Sequence, residues 1–402
     1  MRIAMIGTRG VPAHYGGFET AVEEIGSRLA AGGHVVTVYC RRGNNGPDGD
    51  PATYAGMRLV HLPCLHQRSL ETLTHTAVAA LHVALSRGQY DVALVFNAAN
   101  TFALPLLHLS HLPVAVHVDG LEWRRSKWGR AGKAFYLWSE ARAVRDADAL
   151  IADSPGIQEY YLTEFGAQSR LLEYGTTVTA DLFPSRVGEL GLEPRRYHLL
   201  VARVEPENHV LEMIEAYAAS GARLPLVVVG DSPYVTDYRE AVRATAGRTP
   251  GVRLLGSVWD QDLLDQLYVG AASYLHGHSV GGTNPSLLRA MGAGATTIAH
   301  DNTFNRDVLG EDGVFGRTVH DLAEAIAAVD VDPDSDGPRR ARLVARCRKR
   351  YVWGAVAEGY TQLCSDLAAG RTQRHLYSGR RDPSSPWHHS PVATPSDSSV
   401  ER

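Results

Sequence analysis

Short apolar runs alternate with amphipathic stretches along the first half of the chain. Residues 19–31 and 70–86 place apolar side chains at helical spacing. Around them lie runs of four or five mainly apolar residues, which predict buried strands: Ile3–Ile6, Val35–Tyr39, Arg58–Leu62, Val92–Phe96, Val114–Val118 and Ala149–Ala152. Strands that alternate with helices indicate a parallel sheet covered on both faces.

The same alternation begins again after residue 197. Further strands are predicted at His198–Ala202, Leu226–Val229, Val252–Leu254 and Ala272–Leu275. They alternate with helices predicted near residues 210–219, 238–246, 260–268 and 286–291. Two such halves predict an α/β chain of two Rossmann-like domains.

Changes in composition mark the borders of these domains. Residues 178–196 are rich in Pro and Gly, which predicts a linker between a first domain at 1–180 and a second at 195–350. Residues 351–367 predict an amphipathic helix that returns to the first domain. Residues 370–402 are predicted to be disordered, because their Arg, Ser, Pro and His residues bury too little apolar surface to offset the ordering entropy.

Charge and cysteine content narrow the class of protein. A chain of 402 residues with a net charge of -4 has no general attraction for nucleic acid, which is therefore not an expected partner. The four cysteines show no Cys-x-x-Cys spacing, which favours free thiols and the cytosol. No apolar stretch approaches the ~18 residues that span a bilayer, so membrane contact is expected to be peripheral at most.

The segment 276–291, HGHSVGGTNPSLLRAM, carries the strongest sign of a binding site. Small residues run into a helix in which Pro285 suits the first turn and Thr283 or Asn284 can cap it. The first amides and the positive end of the helix dipole then form an anion site, and phosphate is the expected ligand. The alternative is an ordinary capped surface helix.

Two glycine clusters, at residues 7–10 and 16–17, flank the loop after the first strand. Glycines there let the backbone approach a ligand at the carboxyl ends of the strands. A dinucleotide site would show Gly-x-Gly-x-x-Gly and an acidic residue after the second strand, where this chain has Arg41 and Arg42. NAD is therefore disfavoured, whereas NADP stays open.

Further candidates follow predicted strands. Arg203 can hold a diphosphate through its fork of donors, or else it pairs with Glu205 or Glu207. His117 and Asp119 end the fifth strand, on the side where parallel sheets bind ligands. A lone histidine is more often structural, but this position favours a function.

Basic and aromatic residues are interleaved over residues 124–138. This combination suits contact with the headgroup layer of a membrane. The alternative is a solvated basic helix whose aromatic side chains face the core.

Four separated motifs, GTRGVPAHYGGFET, VDGLEWRRSKW, ARVEPEN and HGHSVGGTNPSLLRAM, together resemble glycosyltransferase family 4, of the GT-B fold. They look most like the bacterial subgroup of rhamnosyltransferases that act on dTDP-rhamnose and lipid-linked cell-surface glycans. The resemblance runs from Met1 to about Leu367. It implies two Rossmann-like domains that face a central cleft, with the acceptor on the first and the nucleotide sugar on the second.

The resemblance also implies roles for individual residues. Gly16 and Gly17 would approach the donor phosphate, and His117 would lie near the donor sugar. Arg203 would neutralise the diphosphate. The helix start that meets the sugar and phosphates would comprise Gly282, Thr283 and Asn284.

Two motifs depart from the pattern of the family. Members commonly carry two glutamates eight positions apart, the second contacting the nucleotide ribose, where this chain has Gly281 and Arg289. Arg289 either supplies charge to the phosphates or marks impaired activity. Asn208 stands where the diphosphate motif of the family commonly has a lysine. An asparagine at this place resembles the rhamnosyltransferase subgroup.

The resemblance implies an enzyme that retains the anomeric configuration. A helix dipole and an arginine can stabilise the leaving diphosphate, so neither a metal nor a cofactor is predicted. The leading hypothesis is transfer of a hexose or deoxyhexose, best L-rhamnose from dTDP-rhamnose, to a lipid-linked polysaccharide precursor at the inner face of the plasma membrane. Two alternatives stay open: a catalytically impaired sugar-nucleotide-binding homologue, and an NADP-dependent oxidoreductase that uses the first half.

Overall fold

A mostly parallel sheet forms the centre of the first domain. The computed structural model describes residues 1–13, 16–43, 49–65, 67, 70–118, 120–232 and 236–388. Within them the strands of this sheet are β1 (Arg2–Ile6), β2 (Val35–Arg41), β3 (Thr53–Tyr54), β4 (Met57–Leu62), β5 (Val92–Phe96), β6 (Val114–His117), β7 (Ala149–Ala152) and β8 (Arg170–Leu171). Their order is β3-β4-β2-β1-β5-β6-β7-β8, and only β3 runs antiparallel to its neighbour.

Helices cover both faces of this sheet because its strands are apolar on both sides. Alternate residues of β1 enter different cores: Ile3 and Met5 join one apolar cluster, whereas Ala4 and Ile6 join another. The covering helices are α1 (Gly17–Ala31), α2 (Glu71–Leu85), α3 (Leu104–His108), α4 (Arg130–Asp146) and α5 (Pro155–Phe165).

The second domain repeats this architecture with parallel strands. They are β9 (His198–Val201), β10 (Leu226–Val229), β11 (Val252–Gly256), β12 (Ser273–His276), β13 (Thr296–His300) and β14 (Val314–Gly316), in the order β11-β10-β9-β12-β13-β14. The helices are α6 (Val210–Ser220), α7 (Asp237–Arg248), α8 (Gln261–Gly270), α9 (Pro285–Gly292), α10 (Thr303–Leu309), α11 (Val319–Val331) and α12 (Gly337–Arg350). The prediction of two Rossmann-like α/β domains is confirmed.

The chain then crosses back to the first domain. Helix α13 (Trp353–Ala368) packs against α1 and the end of β5. Its buried side chains, among them Tyr360 and Leu363, belong to the same apolar cluster as Ile3 and Met5. The first domain is therefore completed by residues from both ends of the described chain.

Residues 370–388, which we call the C-terminal strap, pack on the first domain. Arg381 of the strap forms ion pairs with Glu140 of α4 and Glu164 of α5, the latter at 2.8 Å. The prediction of disorder is therefore wrong for this segment, because polar contacts with buried groups replace the apolar surface that it lacks. Residues 389–402 lie outside the described residues.

Candidate active site in the cleft

The carboxyl ends of strands from both sheets face one cleft. Thr283, in the loop before α9, donates its hydroxyl to the carbonyl oxygen of Asp153, which follows β7, at 2.5 Å. The amide of Ser126 in the first domain donates to a carboxylate oxygen of Glu207 in the second at 2.6 Å. These hydrogen bonds join the two domains across the cleft.

Glycines permit the close approach of the domains. A Cβ atom on Gly120 would overlap the backbone of Gly281, and one on Gly282 would overlap the carboxylate of Asp153. Gly281 also has a φ of +131°, which residues with side chains rarely adopt. The candidates Gly281 and Gly282 thus lie at the domain interface, opposite two residues that the sequence analysis did not select.

The loop after β12 lines a small recess. Helix α9 begins at its edge, with Pro285 in the first turn and the Asn284 side chain accepting a hydrogen bond from the Ser286 amide at 3.0 Å. The predicted helix start is thus present, with Asn284 as its cap. The recess is lined by His278, Ser279, Val280, Gly281, Gly282, Asn284, Phe304 and Asn305.

Arg203 lies on the same side of its domain as this recess. The pKa of His278 is well below its ordinary value, mainly because the ring is buried. The charges of His276, Arg203 and Arg125 lower this pKa further. Ser279, which also lines the recess, donates its amide to the carbonyl oxygen of Glu207 at 3.0 Å, so the turn after β9 lies against the recess. Arg203 also pairs with Glu205 at 3.6 Å, as the alternative interpretation of its sequence predicts.

Asn208 holds the backbone that carries Arg203. Its side-chain amide donates to the carbonyl oxygen of Arg203 at 2.8 Å, and only 2% of the residue is exposed. This bond fixes the turn between β9 and α6. The candidate Asn208 therefore contacts Arg203 itself.

A cluster of charges connects the domains beside Arg203. Glu122 forms ion pairs with Arg125 and, at 3.7 Å, with Lys127. Burial alone would raise the pKa of Glu122, but the positive charges of Arg125, Lys127 and Arg203 hold it below its ordinary value. Glu122 is therefore an anion that lies among these three cations.

The start of α1 faces the start of α9 across the cleft. Gly16 precedes α1 with a φ of +117°, and a Cβ there would overlap the carboxylate of Glu19. A Cβ on Gly17 would lie 3.5 Å from the ring of Pro285. The positive ends of two helix dipoles therefore converge where the anion is expected.

His117 ends β6 within an aromatic cluster. Its ring stacks on Tyr174 and Phe96, with centroid distances of 5.8 and 5.6 Å, and meets Phe18 edge-on at 5.1 Å. Burial lowers the pKa of His117 to about 4, so the ring is neutral at pH 7. A neutral imidazole can still donate or accept one hydrogen bond to a sugar hydroxyl.

Two acidic residues, Asp119 and Asp153, follow the neighbouring strands β6 and β7 in the sequence. Asp119, the predicted partner of His117, lies outside the described residues. Asp153 follows β7, is 4% exposed and contacts the loop before α9 through its carbonyl. The rule that selected His117, a polar residue at the carboxyl end of a parallel strand, selects Asp153 equally well.

Arg289 is bound to helix α8 of its own domain. Its guanidinium donates to the carboxylate of Asp265 at 2.7 Å and to the side chain and backbone oxygens of Gln261 at 2.9 and 3.0 Å. It also lies over the ring of Tyr268, 5.5 Å from the centroid. The N–H groups with which Arg289 would bind the phosphates are thus hydrogen-bonded within the protein.

The basic segment 124–138 divides into two parts. Arg124 lies against the rings of Trp123 and Trp387, whereas Arg125 turns into the cleft and pairs with Glu122. These two arginines are therefore engaged inside the protein. The outward part is the exposed side of α4, where Arg130 and Trp138 are exposed and Lys133 and Phe135 half-buried.

Two family matches cover most of the chain. Residues 16–174 match the glycosyl transferase 4-like domain, and residues 187–350 match glycosyl transferases group 1. The chain is a glycosyltransferase of the GT-B superfamily. The NADP-dependent oxidoreductase is therefore excluded, and Arg41, on which it depended, pairs with Glu71 at 2.9 Å.

Solved structures share the fold of this glycosyltransferase at low sequence identity. Sucrose-phosphate synthase from Thermosynechococcus elongatus has a TM-score of 0.77 and 19% identity, over 92% of this chain and 99% of that one. HepE from Anabaena, in complex with UDP, has a TM-score of 0.72 and 16% identity, over 91% of this chain and 100% of that one. No curated protein matches in sequence.

Proposed function

We propose that this glycosyltransferase moves a hexose or deoxyhexose, best L-rhamnose from dTDP-rhamnose, to a lipid-linked polysaccharide precursor with retention of configuration. The observation that carries the proposal is the recess formed by the Gly281–Gly282 loop and the start of α9, beside the turn after β9 that carries Arg203. A guanidinium and helix amides are the groups that bind a diphosphate. That a structural neighbour is a complex with UDP supports a nucleotide-sugar donor.

The residues of the cleft suit a reaction driven by charge stabilisation and positioning. The bond between the anomeric carbon and a diphosphate oxygen breaks, and the acceptor oxygen bonds to the carbon on the same face. The acceptor proton passes to the departing diphosphate. Arg203 neutralises that leaving group, while the neutral His117 ring offers one hydrogen bond to the sugar.

A donor and acceptor screen tests this proposal. Purified protein is incubated with dTDP-rhamnose, UDP-glucose, UDP-N-acetylglucosamine or GDP-mannose together with lipid-diphosphate sugars, and products are identified by mass spectrometry. We expect one donor to be used, with dTDP-rhamnose preferred. Donor binding without transfer to any acceptor would instead favour the impaired homologue, for which Arg289 at the family's glutamate position is the argument.

Metal dependence is a separate test of the charge assignment. Because Arg203 and the helix ends are proposed to carry the stabilisation, turnover should be unchanged in EDTA. Activity that disappears with EDTA and returns with magnesium would contradict this. The Arg203→Gln variant should lose at least about tenfold in kcat/KM under both conditions, since a charged hydrogen bond contributes about 1.5–3 kcal/mol.

Membrane contact is proposed through the outward side of α4. Among the described residues, no helix is long and apolar enough to span a bilayer. Arg130, Lys133 and Trp138 combine positive charge with an aromatic side chain, which suits an anionic headgroup layer. Purified protein should sediment with anionic liposomes at low salt and be released at high salt; indifference to them would refute the contact.

A further inference from the structure

Glu205 lies between two guanidiniums that come from different domains. Arg125, from the segment before α4, lies 3.5 Å from one of its carboxylate oxygens. Arg203, in the turn after β9, lies 3.6 Å from the other. Both distances exceed the roughly 2.7–2.9 Å of a strong charged hydrogen bond, so Glu205 is held loosely on both sides.

The other carboxylates of the cluster are bound more tightly. Glu122 accepts from the indole of Trp128 at 3.3 Å and pairs with Arg125 and Lys127. Glu207 accepts from the amide and hydroxyl of Ser126 at 2.6 and 3.1 Å. Glu205 is therefore the carboxylate of this set that an incoming anion can most readily replace.

Arg125 is positioned rather than free to turn. Its side chain is 10% exposed, and its Nε group is paired with Glu122, so the Nη side of the fork is directed toward Glu205. The charges of Arg125 and Arg203 both reach His278, which lines the recess at the Gly281–Gly282 loop. The two guanidiniums therefore lie on either side of Glu205, in the cleft next to this recess.

We propose that Arg125 and Arg203 bind the donor diphosphate together, one guanidinium from each domain, in the place that Glu205 occupies between them. This inference rests on the proposed nucleotide-sugar donor. Paired guanidiniums bind phosphate oxygens with several parallel hydrogen bonds, which a loosely held carboxylate cannot match. Binding of the diphosphate then also holds the domains closed, because each domain supplies one of the arginines.

Calorimetric titration with UDP and dTDP, and with uridine and thymidine as probes without phosphate, tests the proposal. We expect Arg125→Gln to raise the Kd for the diphosphates about 10- to 100-fold and to leave nucleoside binding unchanged. The matched control is Arg124→Gln, which removes the same charge one residue away, where the guanidinium lies against Trp123 and Trp387. This control should bind the diphosphates as the wild type does.

A second variant separates phosphate binding from a simple latch between the domains. If Arg125 served only to pair with Glu205, Glu205→Gln would weaken diphosphate binding as Arg125→Gln does, and the proposal would fail. We expect the opposite, a several-fold gain in affinity, because the competing carboxylate is removed. Glu205 is on the cleft surface rather than in the core, so Glu205→Gln should fold. Its affinity for the diphosphates can therefore be measured even if Arg125→Gln folds poorly.

The paired arginines and the proposed transfer reaction can be refuted separately. Equal Kd values for wild type, Arg125→Gln and Arg124→Gln would refute the paired arginines while leaving the transferase proposal intact. Diphosphate binding that depends on Arg125, in a protein that transfers no sugar to any acceptor, would refute the proposed reaction and support the paired arginines. Wild-type protein that binds neither diphosphate would refute both.

Discussion

Arg289 forms an ion pair and hydrogen bonds with residues of α8. It pairs with Asp265 and Gln261, and about a quarter of each side chain in the ion pair with Asp265 is exposed. A glutamate at this position would place two carboxylates side by side. The arginine and the acidic residue on α8 therefore form a unit in this chain.

Substitution of Arg289 tests whether it reaches the donor. Because its donors are used on α8, Arg289→Gln should change the Kd for UDP or dTDP less than about twofold, measured by calorimetry. Arg289→Glu should lower the melting temperature further than Arg289→Gln, since it faces Asp265 with a like charge, and Arg289→Glu with Asp265→Asn should recover the difference. A tenfold loss of diphosphate affinity in Arg289→Gln would show that the residue binds phosphate.

Site residues that directly follow a strand can be predicted from the sequence. Contacts between residues that are far apart in the sequence cannot. Arg203 and the Gly281–Gly282 loop each end a recognisable apolar run, so their common side of the sheet follows from topology. Arg124 and Arg125 are neighbours of the same type. Only the fold places one against Trp387, more than 200 positions away, and the other on Glu205.

At the scale of elements, the C-terminal strap depends on one buried charge cluster. Arg381 pairs with Glu140 and Glu164, which are 3% and 0% exposed. Burial raises the pKa of Glu140 to about 7, although Arg381 and the Tyr160 hydroxyl act against this. The folded protein therefore binds a proton more tightly than the unfolded chain does, and this contribution to stability is lost as the pH rises through 7.

Removing the strap arginine should make that loss steeper. Arg381→Met leaves two buried carboxylates without their cation, so we expect unfolding to become easier by about 3 kcal/mol, and the deficit to be larger at pH 9 than at pH 6. Melting temperatures of both proteins at the two pH values provide the measurement. Arg371→Met is the control and should cost about 1 kcal/mol or less, because Arg371 is exposed and its partner Asp366 of α13 keeps its ion pair with Arg170. A deficit independent of pH would argue against the role of Glu140.

Elements made of apolar residues are visible in the sequence, and elements held by polar contacts are not. β10 is a run of Leu and Val and is predicted to the residue, whereas β13 begins with Thr296 and Thr297, both fully buried, and has only Ile298 and Ala299 as apolar residues. The strap has the same property to a greater degree. Its composition predicts disorder because the buried carboxylates that order it lie on α4 and α5.

At the scale of the whole molecule, closure of the cleft depends on contact between glycine backbones. Gly120→Ala should hold the domains apart, because a methyl group there overlaps Gly281. Overlap of this kind costs about 1–3 kcal/mol, so we expect a roughly tenfold higher KM for the donor and a larger radius of gyration in small-angle scattering. Gly129→Ala, whose Cβ would meet nothing within 4 Å, is the matched control. Unchanged scattering and KM in Gly120→Ala would show that the contact does not limit closure.

The chain passes between the domains twice, and the two passages touch. The amide of Thr176, on the outward passage, donates to the carbonyl oxygen of Tyr351, on the return, at 2.8 Å. Gly175 lies directly against Trp353 at the same place, where a side chain would overlap the indole. Two adjacent passages allow bending about the line that joins them and oppose twisting, so we expect the cleft to open by a clamshell motion about this point.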